Sequence, residues 1–384
     1  MKFPGFLKED GSIGFVAPSF GCNIEPYKSA FDNAVKKFQV LGHKTVLGPN
    51  CYAGSGIGIS NTPQACAAEL MEAYASEDSD VLISCGGGEL MCEVVSHLDF
   101  DQIAAAKPKW YLGYSDNTNF AVLSATLCDT AAIYGPCAPA FGMEPWHPAI
   151  RDAYELLRGQ KQIMQGYELY ETEGLKDEEH PLEPYHVTEA CKRKAYLPAC
   201  DAGGNGRLPG VMAAEEDAAE KDTKLTATGN PENALLLKEA EVPDIHVEGR
   251  LIGGCLDVLV TLLGTRFDKV KEFNERYAED GILWFFESCD LNVMSIRRAV
   301  WQMKEAGWLD HVKGFLIGRP YVHGQELMGL DQYRAVTDLL AEYQVPVIMD
   351  LDIGHFPPMM PLVVGSYAKA KLKGNDFQIT MEYR

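Results

Sequence analysis

The chain has 384 residues, 46% hydrophobic and 23% charged, with a net charge of −21 and a pI near 4.8. This is the composition of a globular protein with about two domains. The acidity argues against a nucleic-acid partner, whose phosphates call for a positive footprint.

The opening residues MKFPGFLKEDGSIGFVAP carry no signal-peptide core, because Lys8, Glu9 and Asp10 follow almost at once. No stretch approaches the ~20 apolar residues of a membrane helix. The eleven cysteines are scattered singly, without a C-x-x-C pair. They suit reduced thiols better than a disulfide framework or a zinc site. A cytoplasmic protein without a membrane partner is expected.

Strand and helix signals alternate through residues 1–165. Ile13–Ala17 is a short apolar run ending at Pro18, as in a buried strand. Ala30, Ala34, Val35, Phe38 and Leu41 recur at helical spacing before Gly42. Lys44–Leu47 follows as a strand. Thr62-Pro63 is a cap and first-turn pair for a helix to about Ala75. Val81–Ser84 is a strand, Gly86–Gly88 a turn, and Leu90–Leu98 a helix. Trp110–Gly113 and Ala131–Tyr134 are strands on either side of a helix beginning near Asn117. The alternation predicts an α/β domain built on a parallel sheet.

Between about Tyr170 and Val242 the periodicity is lost. EGLKDEEHPLEP, DAGGNGRLPG and EEDAAEKD read as a linker and insertion, spanning 166–244, with only short strands. Residues 245–384 then form a smaller, β-rich C-terminal domain. Its strands are His246–Ile252, Ile282–Phe286, Gly314–Ile317 and Val345–Met349, with a closing turn at Gly374-Asn375. Its helices are GGCLDVLVTLLGT, Met294–Trp308 and Tyr333–Tyr343.

Ligands of parallel sheets collect at the carboxyl ends of the strands, which directs attention to a few loops. SCGGGEL follows the third strand; its glycines either cradle an anion or simply turn the chain into a helix. Ser115, in GYSDN, sits between strand and helix. It is either a nucleophile on a sharp turn, lacking the second glycine of G-x-S-x-G, or the cap of the following helix. His147, His180 and His186 lie in polar, Pro-rich surroundings and are expected at the surface. His355 follows DLDIG at a strand end, well placed for acid–base chemistry. Glu287 ends the run ILWFF, and a carboxylate delivered there requires a partner, histidine or a cation. Cys85, before three glycines, is an alternative nucleophile or a small buried thiol.

Together, IGFVAPS, the Gly-Gly turn, PKWYLGYSDNT, GRLIGGCLDVL, the apolar run into Glu287 and DIGH resemble the LD-carboxypeptidase and microcin-immunity family of serine peptidases. The blocks occur in the family's order, and Glu287 and His355 stand 68 residues apart, as in the family. The resemblance implies Ser115 as nucleophile, His355 as general base and acid, and Glu287 as the group orienting His355. It implies an oxyanion hole from the backbone amides of Asp116 and of Gly86 or Gly87, a site at the junction of the two domains, and a homodimer. No metal or organic cofactor is expected. Three positions depart from the family: Ser288 replaces its usual Asp, Cys255 its Asn, and Gly88 its aromatic or Asn.

The implied reaction is hydrolysis of an amide beside a free carboxylate, releasing D-alanine from a murein tetrapeptide. Two alternatives stand beside it. One is a microcin-immunity type peptidase acting on peptidyl or aminoacyl adenylate mimics. None of the five tryptophans lies within 171–245 to stack a base there, although Tyr185 and Tyr196 could. The other is a non-catalytic ligand-binding module on the same fold.

Overall fold

The computed structural model describes residues 1–198 and 236–384. Five strands in the first third follow the apolar runs: β1 (Ser12–Val16), β2 (Lys44–Leu47), β3 (Val81–Ser84), β4 (Trp110–Gly113) and β5 (Ala132–Tyr134). The middle supplies β6 (Ile163–Gln165), a two-strand pair of β7 (Leu169–Tyr170) with β8 (Glu189–Ala190), then β9 (Lys194–Pro198) and β10 (Leu237–Glu239). The remainder contributes β11 (Asp244–Cys255), β12 (Ile282–Glu287), β13 (Val312–Gly318), the short pair β14 (Glu326–Leu327) and β15 (Leu330–Asp331), and β16 (Val347–Leu351). Last come β17 (Leu362–Val364), β18 (Tyr367–Lys373) and β19 (Asp376–Glu382).

The first sheet has the order β17-β5-β4-β3-β1-β2. β1 to β5 run parallel, and β17 joins antiparallel beside β5. Helices cover it, and β3 and β4 are buried along their whole length, as strands packed on both faces must be. The second sheet has nine strands, β10-β9-β16-β13-β12-β11-β18-β19-β6. Its centre, β16-β13-β12-β11, is parallel, and antiparallel strands flank it on both sides. β18 and β19 alternate buried and exposed residues, so one face of that edge meets solvent. The fold is thus the expected pairing of a parallel-sheet α/β unit with a β-rich C-terminal unit. Chain order and sheet membership part at two places: β6 and β9 lie in the second sheet, and β17 crosses to the first.

The helix Thr118–Cys128 is the hinge of this arrangement. It packs against β5 of the first sheet and β11 of the second, and is buried around almost its whole circumference. Its sequence TNFAVLSATLC accordingly carries no charge, and its buried polar side chains are hydrogen-bonded within the protein, Ser124 to the Thr130 carbonyl and Thr126 to that of Val122. Among the described residues no helix is long and apolar enough to cross a membrane.

Three local differences from the sequence reading have identifiable causes. The helix expected over Leu90–Leu98 is shorter, Met91–Val95, and a second helix not foreseen, Phe100–Ala105, follows where the Asp99 carboxylate caps a new start by accepting from the Gln102 amide at 3.0 Å. β11 runs through Gly253-Gly254 to Cys255, since both glycines continue the parallel ladder opposite Phe285 and Phe286. His147, expected at the surface, is half-buried. Its ring lies 5.7 Å from that of Tyr167 and 5.4 Å from that of Tyr185, because part of the expected insertion folds back over it. His180 and His186 are exposed. The segments DAGGNGRLPG and EEDAAEKD lie outside the described residues.

Just beyond β16 the fully buried Asp352 joins three parts of the chain. It accepts from Arg319 after β13 at 2.5 Å, from Arg193 before β9 at 2.6 Å, and from the Tyr167 amide at 2.9 Å. Burial alone would raise its pKa. The two guanidinium groups overcome this and hold the carboxyl below the ordinary range. Replacing Asp352 with Asn should leave two buried arginines unpaired and cost about 3–5 kcal/mol. Thermal unfolding of the variant, read against the wild type, checks this as a large fall in Tm.

Candidate active site

β4 ends at Gly113, and the chain turns sharply into the 3₁₀ turn Ser115–Asn117 that leads into the helix Thr118–Cys128. Ser115 sits on that corner with φ of 61°, a left-handed conformation that a serine adopts only under constraint. The turn is fixed from below by its neighbours. Asp116 is buried and accepts from Ser19 Oγ at 2.5 Å, from the Met91 amide at 2.9 Å and from Asn119 Nδ2 at 3.0 Å. Asn117 Nδ2 donates to the Gly86 carbonyl at 2.8 Å.

Glu287 ends β12, whose six residues are all buried. One oxygen, Oε1, accepts from the Tyr134 hydroxyl at 2.6 Å, and Oε2 is 2.8 Å from His355 Nδ1. The other imidazole nitrogen, Nε2, lies 3.0 Å from Ser115 Oγ. A hydroxyl, an imidazole and a carboxylate in a row make an arrangement able to take a proton from the serine and hold the resulting imidazolium. The three residues come from three strand ends in two sheets. His355 stands on the loop after β16, and Gly354 before it has φ of 110°; a Cβ there would fall 2.5 Å from Glu287 Oε2. The Gly-His step is therefore a steric requirement of the Glu–His contact. The ring of Tyr114 lies 5.1 Å from that of His355, on one flank of it.

Of the two glycines expected beside the serine, Gly87 lies against it: a Cβ on Gly87 would come within 2.9 Å of Ser115 Cβ. Gly86 instead faces Phe20 and uses its carbonyl to accept from Ser84 and Asn117. The amides of Gly87 and Asp116 have no hydrogen-bond acceptor among the described residues. Cys85, the alternative nucleophile, is 1% exposed. Burial pushes its thiol well above the usual range, with Cys22 and Cys51 adding to the shift, and no histidine contacts it among the described residues. A neutral buried thiol does not fit that role.

Ser115 and His355 open into a cleft of about 430 Å³. Its walls include Phe20, Tyr27, Tyr114 and Tyr185, together with Gly87, Lys176 and Pro357. No tryptophan lines it among the described residues. Tyr185 is in the cleft, whereas Tyr196, on β9, packs against Tyr333 of the helix Gln332–Leu340 and is not. Burial lowers the pKa of Lys176, partly offset by Glu171. A larger groove of about 680 Å³ lies against Lys369, Lys371 and Gln378 and contains none of these residues. Among the described residues no group of three or more His, Cys, Asp or Glu side chains is placed to hold a metal.

A model of the LD-carboxypeptidase N-terminal domain matches residues 13–135, and a model of the LD-carboxypeptidase C-terminal domain matches residues 248–370. The chain belongs to the LD-carboxypeptidase family of serine peptidases. It is 25% identical to the microcin C7 self-immunity protein MccF of Escherichia coli over 380 residues, covering 97% of this chain and 94% of that one. It is 23% identical over 370 residues to a protein described as a probable murein peptide carboxypeptidase of Bacillus subtilis (strain 168), covering 95% and 90%. Among solved structures, MccF in complex with aspartyl sulfamoyl adenosine matches with a TM-score of 0.73 at 21% identity, over 100% of this chain and 99% of that one. An MccF-like protein from Bacillus anthracis str. Ames matches with a TM-score of 0.72 at 17% identity, covering both chains in full.

Three residues of the site went unseen in the sequence. Tyr134 ends a short apolar strand and gives no sign of its partner, and Lys176 is one cation in an acidic, aperiodic stretch. Cys289 lines the cleft beside His355 and left no motif at all.

The electrostatics of the site yield a direct test. Burial lowers the pKa of His355, but the Glu287 carboxylate, and to a smaller extent Cys289, raise it by more, so the net shift is upward from 6.5. In the wild type the imidazole should therefore titrate above 6.5 when followed by NMR. Glu287→Gln removes the main raising charge and leaves the burial, so the His355 titration should move down from its wild-type position.

Proposed function

We propose that the protein is a serine carboxypeptidase that releases D-alanine from a murein tetrapeptide through an acyl-enzyme on Ser115. The observation that carries this reading is the continuous contact from Ser115 Oγ through His355 to Glu287, at 3.0 and 2.8 Å. In the proposed cycle Ser115 attacks the carbonyl while His355 Nε2 takes its proton. Glu287, fixed by Tyr134, keeps Nδ1–H pointed inward and stabilises the imidazolium that forms. The amides of Gly87 and Asp116 receive the oxyanion. His355 then passes its proton to the departing amine, and a water deprotonated by the same nitrogen clears the ester.

The cleft supports an exopeptidase. Lys176 is a partly desolvated ammonium in the cavity that holds His355. It suits the terminal carboxylate of a leaving amino acid, and the lowered dielectric strengthens that attraction. The similarity to a murein peptide carboxypeptidase points the same way.

The aromatic wall favours a second reading. Tyr185, Tyr27 and Phe20 face the same cleft and could stack a leaving nucleobase, and the long match to MccF supports a substrate of that kind. A homodimer, implied by the resemblance, is part of the proposal.

Ser115→Ala should abolish D-alanine release, lowering kcat by about 10⁴-fold or more while the protein stays folded. Chromatographic detection of free D-alanine from a murein tetrapeptide checks it. If neither protein releases D-alanine but the wild type alone cleaves an aminoacyl sulfamoyl adenylate, the second reading replaces the first. Lys176→Met should raise KM for the free-acid tetrapeptide far more than for its C-terminal amide. Steady-state kinetics on the two peptides measure the difference.

A further inference from the structure

Tyr134 is fixed by the fold on both sides of its strand. On β5 it pairs with Gly113 at the end of β4, just before Ser115, and with Leu362 of β17, the strand that follows the His355 loop. Its ring is fully buried, 5.5 Å from that of Phe285 on β12 and 6.3 Å from that of Tyr114. A phenol held by its backbone and by its ring neighbours presents its hydroxyl at one place.

That hydroxyl stands between two groups whose hydrogen-bonding roles cannot be exchanged. Ionised Glu287 can only accept, so its Oε1, 2.6 Å away, takes the single phenol proton. The backbone amide of Ser115 can only donate, and it reaches the phenol oxygen at 3.4 Å. The contacts therefore close on themselves. They run from the Ser115 amide to Tyr134, on to Glu287, then to His355 at 2.8 Å, and back to the Ser115 hydroxyl at 3.0 Å. Ser115 supplies both ends of this ring: the corner with φ of 61° and the hydroxyl that attacks.

We propose that Tyr134 is a positioning residue that closes this ring, tying the nucleophile's turn to the triad and drawing off part of the Glu287 charge so that His355 can release its proton. This rests on the serine-peptidase reading of the site and deepens it, whichever substrate is cleaved. A carboxylate that spends its whole charge on the imidazole makes the imidazolium a poor acid for the departing amine. A second donor weakens that hold. The phenol keeps its proton, because burial and then the Glu287 charge push its pKa well above the ordinary range, with Cys255 adding to the shift. The Cys255 thiol, which also faces Glu287, is itself raised by burial and by the Glu287 and Asp257 charges. Two neutral donors thus flank the carboxylate, and the imidazole is the group whose titration reports on it. With its own amide engaged by Tyr134, Ser115 leaves the oxyanion to Gly87 and Asp116.

Two replacements at position 134 move the donor strength in opposite directions and keep the ring's shape. Tyr134→Phe removes the donor, and 3-fluorotyrosine at this one position strengthens it. Followed by NMR without substrate, His355 should titrate higher than in the wild type in Tyr134→Phe and lower in the fluorotyrosine protein. On whichever substrate the wild type cleaves, murein tetrapeptide or aminoacyl sulfamoyl adenylate, Tyr134→Phe should lower kcat about tenfold to a hundredfold and leave KM within about threefold. A side chain that only fills space would leave the His355 titration in place in both proteins. An unmoved titration, or an unchanged kcat in Tyr134→Phe, overturns the inference and leaves the peptidase reading standing. A wild type inert towards both substrates removes that reading of the substrate, while the two titrations still decide the role of Tyr134. If Tyr134→Phe does not fold, the direction of the fluorotyrosine shift decides alone.

Discussion

The arrangement of this protein turns on a single buried charge. Glu287 stands at the end of a wholly apolar strand with no access to water, and an isolated carboxylate in that setting would cost several kcal/mol. The cost is offset only if donors arrive from elsewhere, and they come from both sheets: the Tyr134 hydroxyl from β5 of the first, and the His355 imidazole from the loop after β16 of the second. Glu287 is accordingly held below the ordinary carboxylate range; burial works against this, and the charge and hydrogen bond of His355, with help from Tyr134 and Cys255, prevail. Any shift of one sheet relative to the other would break one of these contacts. The carboxylate thus acts as a register mark between the two halves, and the same contact sets the imidazole in front of Ser115.

The loop that carries His355 is fixed by a second set of buried charges. Asp350 accepts from the Tyr333 hydroxyl at 2.8 Å and from Gln332 at 3.1 Å, while its carbonyl accepts from Arg319 at 2.7 Å. Two residues on, Asp352 binds Arg319 and Arg193. The stretch DLDIGH therefore alternates anchoring carboxylates with apolar residues, and the histidine follows after one close-packed glycine. Side chains so held lose little further freedom when a substrate binds, which is the condition for a preorganised site. Arg193 comes from the segment before β9, so the middle of the chain helps to hold this loop as well as the cleft wall.

Much of this was legible in the sequence, for definite reasons. The strands of the first sheet are short apolar runs punctuated by Gly and Pro, and no other element type fits them. Ser115, Glu287 and His355 each stand at a strand end, where the chemistry of such sheets collects, and a carboxylate after ILWFF demanded a partner. What could not be read were the relations set by packing at a distance. Nothing in AAIY shows that Tyr134 meets residue 287, and nothing in LVV shows that β17 leaves its own sheet for the other. The exposure of His147 was misjudged for the same reason: its polar neighbours in sequence are not its neighbours in space. The choice between Gly86 and Gly87 depends on which one meets Ser115, and identical residues carry no such information.

The electrostatic layout around Ser115 shows why net charge is a poor guide to a site. An overall charge of −21 argues against polyanionic partners and says nothing about a cleft. Locally the site holds both signs: Lys176 and Glu89 line the cleft that contains His355, and Asp257 and Asp290 line a smaller space that shares Ser115 and Glu89 with it. A bound ligand meets these individual charges at close range, in a partly desolvated setting where each acts more strongly than the sum over the distant surface.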